Sequence, residues 1–157
     1  MFYFIKQCFL IRLFFTVNNA RIVHLIQTLG ETIMTQEQIL AACKAGISAW
    51  QQAFNSQDAA GCATQYAEGT VMEARPFGTF TGREEIQAFW QNIMDQGLSN
   101  VDYTDVKWEK IGDNGYLLTA SWTMNKAFGV VHNEHWTIQE DGKARLIADD
   151  FEVQGER

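Results

Sequence analysis

The sequence predicts an α+β domain in which N-terminal helices cover one face of a mostly antiparallel sheet. In the first half of the chain, up to about residue 96, apolar residues recur mainly at helical spacing. Four runs between residues 101 and 153 instead alternate apolar and polar residues with the period of a β-strand. The chain has 157 residues, which favours one domain.

Three helices are expected in the first half. The first opens at a capping box formed by Thr35 and Gln38 and ends near Asn55. Its buried stripe is predicted to comprise Ile39, Cys43, Ile47, Trp50 and Phe54. Asp58 is a suitable N-cap for a short second helix. A third helix is expected to begin at a capping box of Thr81 and Glu84 and to end at Gly97.

The second half of the chain is predicted to be a series of strands. A short strand is expected over residues 70–73, followed by longer strands over 101–111, 116–126, 130–139 and 143–153. Residues 112–115 and 141–142 are rich in Gly, Asp and Asn, which is typical of hairpin turns. The strands are therefore expected to pair mainly with their neighbours along the chain.

Residues 1–33 differ in character from the rest. Arg12 interrupts their apolar stretch, and residues 18–20 make a poor signal-peptide cleavage site. Met34 immediately precedes the first capping box. We therefore expect a poorly structured extension over residues 1–33, preceding a domain over residues 34–157. The extension is interpreted as a misassigned upstream start, with an interaction helix and a cleaved leader as alternatives.

Composition excludes several classes of function. The formal net charge is −7, and the first 33 residues carry three basic side chains against one acidic, so the remainder carries −9. No cluster of Lys and Arg interleaves with aromatic residues, which argues against nucleic-acid binding. No run of 18 apolar residues indicates a membrane span. The three cysteines lack CxxC spacing, so reduced thiols in a cytoplasmic protein are expected.

Two acids interrupt the predicted apolar faces of the last strands. Strict alternation places Asp149 beside Ile147 and Phe151, and Glu134 beside His132 and Trp136. A buried carboxyl has a raised pKa, which suits it to acid–base work near neutral pH. The alternatives are an edge or rim position and a one-residue slip in strand phase that turns the acid to solvent.

The same alternation bears on two further functions. His132 and His135 fall on opposite faces of their strand, so no metal site is expected there. The opposite face, with Val131, His135 and Thr137, is expected to form a homodimer interface, because an open antiparallel sheet leaves one face uncovered.

Three segments carry a resemblance to a known superfamily. Residues 50–58 (WQQAFNSQD), 66–71 (YAEGTV) and 82–90 (GREEIQAFW) resemble the opening of ketosteroid isomerase and its SnoaL-like relatives in the nuclear transport factor 2-like superfamily. The hairpin from Trp136 to Phe151 is similar to the family's terminal hairpin. The resemblance implies a cone-shaped, cystatin-like α+β roll whose helices and curved sheet enclose a pocket. The fold hosts many chemistries.

The resemblance also assigns candidate site residues. Counting without gaps places the isomerase's general base on Glu73, its oxyanion-hole tyrosine on Trp50 and its protonated acid on Glu134. In SnoaL-like cyclases and related epoxide hydrolases, a last-strand acid matches Asp149. His132 is expected on the same strand face as Glu134, where it would orient another group or shuttle a proton. The pocket wall is expected to comprise Trp50, Tyr66, Trp122, Trp136 and Phe151.

These assignments predict a pocket for a small, largely apolar, neutral or weakly polar molecule. If the protein is an enzyme, the expected chemistry is acid–base catalysis without a cofactor, of the isomerase, dehydratase, cyclase or hydrolase type. Longer acids at both isomerase positions and Trp50 in place of a phenol argue against steroid isomerisation itself. The alternatives are a non-catalytic binding domain and a protein-interaction domain.

Overall fold

A computed structural model describes residues 34–157 of the chain, so the N-terminal extension expected over residues 1–33 lies outside the described residues. Within this range the helices are α1 (Gln36–Asn55), α2 (Ala59–Thr64) and α3 (Gly82–Asp95). The strands are β1 (Tyr66–Arg75), β2 (Gly78–Thr81), β3 (Asp102–Ile111), β4 (Gly115–Thr123), β5 (Ala127–Ile138) and β6 (Ala144–Glu156). The α+β class is confirmed. A membrane-spanning helix needs a long apolar run, and none of the helices described here has one.

The helix starts follow local capping chemistry. The backbone N–H of Gln38 donates to the Thr35 hydroxyl over 3.2 Å, and the backbone N–H of Thr35 donates to the Gln38 side chain over 2.7 Å. This confirms the first capping box. The second was predicted wrongly: the side chain of Thr81 caps nothing, and its backbone N–H donates to Glu85 over 2.6 Å rather than to Glu84. Glu85 lies one helical position further along and accepts from the backbone N–H that Glu84 was expected to bind.

The described strands form one sheet in the order β2-β1-β6-β5-β4-β3. All neighbouring pairs are antiparallel except β1 and β6, which run parallel. The helical segment α3 follows β2, so the chain leaves one edge of the sheet and returns through β3 at the other edge. Strands β6 and β5 lie at the centre of the sheet, and β4 separates β5 from the edge strand β3. β5 pairs with β6 over nearly its full length.

Two of the three register shifts in the β5–β6 pairing decide which side chains near the acids face the helices. The register shifts between Val131 and Asn133, and again between His135 and Trp136, where Ile147 of β6 has no partner. A bulge moves every following side chain to the other face. Val131, Glu134 and Trp136 consequently all point inward, although simple alternation cannot place them on one face.

The core lies between the inner sheet face and helices α1 and α3. Trp50 of α1 packs edge-on against Trp90 of α3, with 5.0 Å between ring centroids, and stacks on Phe54 at 5.4 Å. Trp90 in turn stacks on Phe151 of β6 at 5.5 Å. Contacts of this geometry add roughly 0.5–1.5 kcal/mol per pair beyond area burial. The aromatic cluster therefore fixes the two helices over the centre of β6.

Candidate active site

A small cavity lies between this aromatic cluster and the central strands. Its volume is about 30 Å³, room for one or two water molecules. Two carboxyl groups, Glu134 and Asp149, face into it among side chains that are mostly apolar. Its aromatic wall consists of Trp50, Tyr66, Trp90, Tyr103, Trp122 and Phe151.

The two carboxyls belong to directly paired residues. Glu134 of β5 lies opposite Asp149 of β6 in the antiparallel register. Residues paired in this way hold their Cβ atoms about 4.5–5.5 Å apart, so the two side chains are immediate neighbours. Glu134 is 4% exposed and Asp149 is 5% exposed. Neither acid turns to solvent, so the strand-slip alternative is wrong for both.

One oxygen of Asp149 is held by a short chain of donors. The Tyr66 hydroxyl donates to Asp149 Oδ2 over 2.8 Å, and Trp90 Nε1 donates to the Tyr66 hydroxyl over 3.3 Å. Asp149 Oδ1 is buried without a hydrogen-bond partner among the described residues. Unpaired buried polar atoms are rare in native proteins and require an explanation. Asp149 thus has one carboxyl oxygen held by Tyr66 and one that is available to a ligand in the cavity.

Glu134 is held by the tryptophan two residues further along β5. Trp136 Nε1 donates to Glu134 Oε2 over 2.8 Å. The Trp136 ring is fully buried against Gly46 of α1, where an added Cβ would lie 2.4 Å from the ring. The absence of a side chain at Gly46 therefore lets the ring that positions Glu134 pack directly on the helix.

Burial changes the titration of both acids. Desolvation raises the pKa of Asp149 to about 7, against the opposing effect of the Tyr66 hydrogen bond, which favours the ionised form. Desolvation, with the charge of Asp149 next in importance, raises the pKa of Glu134 well above its ordinary value. Two adjacent carboxyls in a dry site cannot both ionise cheaply. Near neutral pH the pair therefore holds at least one proton.

Two further polar atoms of the cavity wall lack partners. The indole N–H groups of Trp50 and Trp122 are buried with no acceptor among the described residues. The hydroxyl of Tyr103 lies near both acids, and burial raises its pKa well above the ordinary value, so it stays protonated. The cavity thus combines unpaired donors with one unpaired carboxyl oxygen.

A larger groove adjoins this cavity. It has a volume of about 470 Å³, within the usual range for small-molecule sites, and it includes Phe77, Phe89 and Ile93 of the β1–β2 connection and α3. Trp90, Trp122, Met124 and Phe151 line both spaces. A ligand in the groove would therefore contact the same four side chains that line the acid cavity.

His132 lies away from the cavity, so its expected place beside Glu134 is wrong. Its side chain is 41% exposed, and its Nε2 lies 2.8 Å from Glu152 Oε2 on the neighbouring strand. The cause is the bulge after Val131, which puts His132 on the outer face and Glu134 on the inner face. Val131 itself lines the cavity and cannot belong to the outer face, where it was expected. The homodimer predicted through that face stays a prediction.

Glu73 also lies outside the cavity. Met72 is completely buried on β1, whereas Glu73 points to the other side and accepts a hydrogen bond from the Thr79 hydroxyl over 2.8 Å. Gap-free counting from the isomerase pattern therefore does not place a β1 acid in the cavity. The structure brings together Asp149 and Glu134 but neither Glu73 nor His132.

Most of the expected aromatic wall lies where the sequence predicted it. Trp50, Tyr66, Trp122 and Phe151 line the cavity, whereas Trp136 lies behind Glu134 and touches the site only through that carboxyl. Sequence reasoning placed neither Trp90 nor Tyr103 in the site, although both line the cavity. The expected pairing of β3 with β4 could have signalled Tyr103, which lies opposite Trp122 in the β3–β4 register.

Within residues 34–157, no group of three or more His, Cys, Asp or Glu side chains converges as a metal site would require. Cys43 and Cys62 are buried thiols whose pKa values burial raises, to about 11 and about 12. They are therefore poor nucleophiles at neutral pH.

Comparison with known families decides the relationship. The model of the SnoaL-like domain matches residues 47–147, which include the helices α2 and α3 and the paired acid Glu134. The chain belongs to the SnoaL-like family. No protein with a curated functional description matches the sequence significantly.

Solved structures share the SnoaL-like fold at low identity. A ketosteroid isomerase-like protein from Erwinia carotovora atroseptica is 13% identical, with a TM-score of 0.65 over 78% of this chain and 99% of that one. A protein named as a candidate scytalone dehydratase from Novosphingobium aromaticivorans is 11% identical, with a TM-score of 0.64 over 75% and 85%. A protein of unknown function from Nostoc punctiforme, described as having a cystatin-like fold, is 13% identical, with a TM-score of 0.62 over 71% and 87%. At these identities the likeness concerns the fold alone.

Proposed function

We propose that the protein catalyses proton transfer at a carbon next to a carbonyl group, in a small and largely apolar substrate. Such proton transfer is a step common to many isomerisations, dehydrations and ring closures. The observation that carries the proposal is the buried pair itself: Asp149 has one unpartnered oxygen and a pKa of about 7, and Glu134 lies directly opposite. A general base works best when its pKa lies near the working pH.

Asp149 would act as the base. Its Oδ2 is anchored by Tyr66, so the carboxyl cannot rotate freely, and Oδ1 remains to take the proton. The C–H bond breaks as the O–H bond at Oδ1 forms, and the electron pair moves onto the substrate carbonyl. Return of the same proton to another atom of the substrate would complete an isomerisation without any other reactant.

Glu134 would act as the neutral partner. Burial raises its pKa, and with Asp149 ionised the proton of the pair would lie on Glu134, which could then donate a hydrogen bond to the substrate oxygen on which negative charge develops. The unpaired N–H of Trp50 is a second donor on the same wall. A carboxylic acid held neutral by an apolar site serves in this way in ketosteroid isomerase.

The names of similar structures are consistent with this chemistry. One is called a ketosteroid isomerase-like protein, and others are named as candidate dehydratases. Low identity limits what these names can support, so the proposal depends on the two acids rather than on the names.

Exchange of α-protons with solvent tests the proposal without knowledge of the natural substrate. In heavy water, a protein that enolises a ketone replaces its α-protons by deuterium, which proton spectroscopy measures directly. With acetylnaphthalene as the probe, we expect the wild type to accelerate exchange of the methyl protons. Asp149→Asn keeps the shape and the Tyr66 hydrogen bond but removes the base, and exchange should fall about 100-fold or more.

Asp150→Asn is the matched control. Asp150 is the next residue of β6, lies on the outer face and pairs with Arg75, so this variant should exchange the probe at the wild-type rate. Equal exchange by the Asp149→Asn variant and the wild type would rule out Asp149 as the base.

Ligand binding without catalysis is a second candidate, favoured by the small volume of the acid cavity, about 30 Å³. In that case the two acids would only recognise the polar end of a bound molecule. A wild-type protein that binds acetylnaphthalene without accelerating exchange would support this candidate over the catalytic one.

A further inference from the structure

The groove beside the acid cavity has the walls of a site for a flat molecule. Phe77, Phe89 and Trp90 line it, and the Phe89 and Trp90 rings meet edge to face with 4.9 Å between centroids. Phe77 is 53% exposed, more than any other large apolar side chain among the described residues. The acid cavity is too small for a ring system, whereas the groove is large enough for one.

The charges at the rim of the groove are already engaged with the protein. Lys126 Nζ donates to the backbone carbonyl of Gln96 over 2.8 Å, and the Arg157 guanidinium donates to the carbonyl of Met124 over 3.4 Å. Glu156 lies at the same rim and offsets part of their positive charge. The opposite charges at the rim and the mostly apolar walls of the groove favour a neutral ligand over an anionic one.

Trp122 stands at the junction of the groove and the cavity. Its side chain lines both, it is 5% exposed, and its indole N–H has no acceptor among the described residues. An N–H group left unpaired in an apolar interior is destabilising, so a partner is expected when the site is occupied.

The ring of Trp122 is held in place from the strand behind it. Gly129 pairs with Trp122 across β4 and β5, and a Cβ at Gly129 would lie 2.5 Å from the edge of the indole ring. Phe151 meets the same ring edge-on, with 6.4 Å between centroids. The position of the N–H is thus set by the fold and does not depend on a ligand.

We propose that the groove binds the flat, apolar body of a neutral carbonyl compound, and that the Trp122 indole N–H donates a hydrogen bond to the ligand's oxygen at the junction with the acid cavity. Phe89, Trp90 and Phe151 would contact the body of the ligand. The choice of a carbonyl as the reacting end of the ligand rests on the proposed function. The groove and the unpaired Trp122 N–H are features of the structure and do not depend on that function.

Indole spectroscopy tests the hydrogen bond directly. The chain has five tryptophans, so a proton–nitrogen correlation spectrum has five indole signals, each assignable by a Trp→Phe variant. Acetylnaphthalene should move the Trp122 indole proton downfield, as a new hydrogen bond requires. Ethylnaphthalene has nearly the same shape but no oxygen, and it should produce only the smaller shift due to its ring.

Trp108 provides the internal control, since it lies beside a separate surface depression next to α1 and should not respond to either probe. The Trp122→Phe variant keeps most of the ring area and removes the donor. Its affinity for acetylnaphthalene should fall about three- to tenfold, with no change for ethylnaphthalene. The Trp108→Phe variant should bind both probes as the wild type does.

Three results would overturn the proposal: neither probe binds, both probes shift the Trp122 signal equally, or Trp122→Phe weakens both probes alike. The wild-type spectrum is decisive even if the variant does not fold. The Asp149→Asn variant separates the two proposals. If it retains the Trp122 shift while wild-type protein shows no proton exchange, the groove assignment stands and the catalytic proposal fails.

Discussion

Adjacent residues of β6 show how differently the two faces of this sheet treat the same side chain. Asp149 points inward, is 5% exposed, and is desolvated strongly enough to raise its pKa to about 7. Asp150 points outward, its side chain is 31% exposed, and it pairs with Arg75. The chemical groups are identical, and only the direction of the side chain differs. A carboxyl buried without a counter-charge has a pKa near neutrality, whereas a carboxyl beside a cation at the surface forms an ordinary ion pair.

The other candidate residues divide in the same way. Glu134 shares the inner face with Asp149, and its partners are an indole and a second acid. His132 and Glu152 share the outer face and pair with each other, both about 40% exposed. An acid or histidine is therefore informative about function only once its face is known.

The largest difference between the faces should appear in the pH dependence of stability. Because burial raises the folded-state pKa of Asp149 from 3.8 to about 7, the folded state binds more protons than the unfolded state between these values. Its contribution to stability is therefore greatest below about pH 4 and is lost as the pH rises through about 7. From about pH 5 to about pH 8 the loss amounts to roughly 3 kcal/mol at most.

Urea denaturation of Asp149→Asn and Asp150→Asn at these two pH values measures the effect. The Asp149→Asn variant should lose much less stability than the wild type on going from about pH 5 to about pH 8. Asp150→Asn should follow the wild type. The quantity to compare is the change in the free energy of unfolding between the two pH values, because the buried amide of Asp149→Asn lowers stability at every pH. Parallel slopes for all three proteins would mean that Asp149 titrates as an exposed aspartate does.

Two glycines extend the comparison to packing. A Cβ at Gly129 would lie 2.0 Å from the backbone carbonyl oxygen of Glu152 and 2.5 Å from Trp122, neither of which can move away easily. A Cβ at Gly155 would lie 2.8 Å from the ring of Phe128, which is 38% exposed and free to rotate. Gly129→Ala should therefore lower the free energy of unfolding by about 1–3 kcal/mol, and Gly155→Ala by less than about 1 kcal/mol.

Chemical denaturation of both variants measures these costs, and the Trp122 indole signal adds a second readout. Only Gly129→Ala should move that signal, since only its added methyl group displaces the ring. Equal costs for the two variants would show that the inner strand adapts as readily as the surface does.

The fold could be predicted because its signals are local. The caps at Thr35 and Asp58 and the hairpin turns at residues 112–115 and 141–142 each depend on a few neighbouring residues. Each of these expectations is confirmed.

The site could be predicted only in part, because strand pairing is not local. Asp149 and Glu134 were found because acids interrupt apolar runs, and both are buried. His132 was misplaced because nothing in the sequence near Val131 marks the bulge that arises from pairing β5 with β6. Ile147 was expected beside Asp149 but is 39% exposed, for the same kind of reason.

The smallest expected effect concerns His132. Exposed ion pairs contribute about 0–1 kcal/mol, so His132→Gln should change the free energy of unfolding by no more than about 0.5 kcal/mol. Since Glu152 rather than Glu134 is its partner, the variant should also exchange the α-protons of acetylnaphthalene at the wild-type rate. Glu134→Gln is the inner-face counterpart, and it should slow that exchange because an amide is a weaker donor than a carboxylic acid. A tenfold or greater loss of exchange in His132→Gln would place the histidine in the proton path and remove the distinction between the two faces.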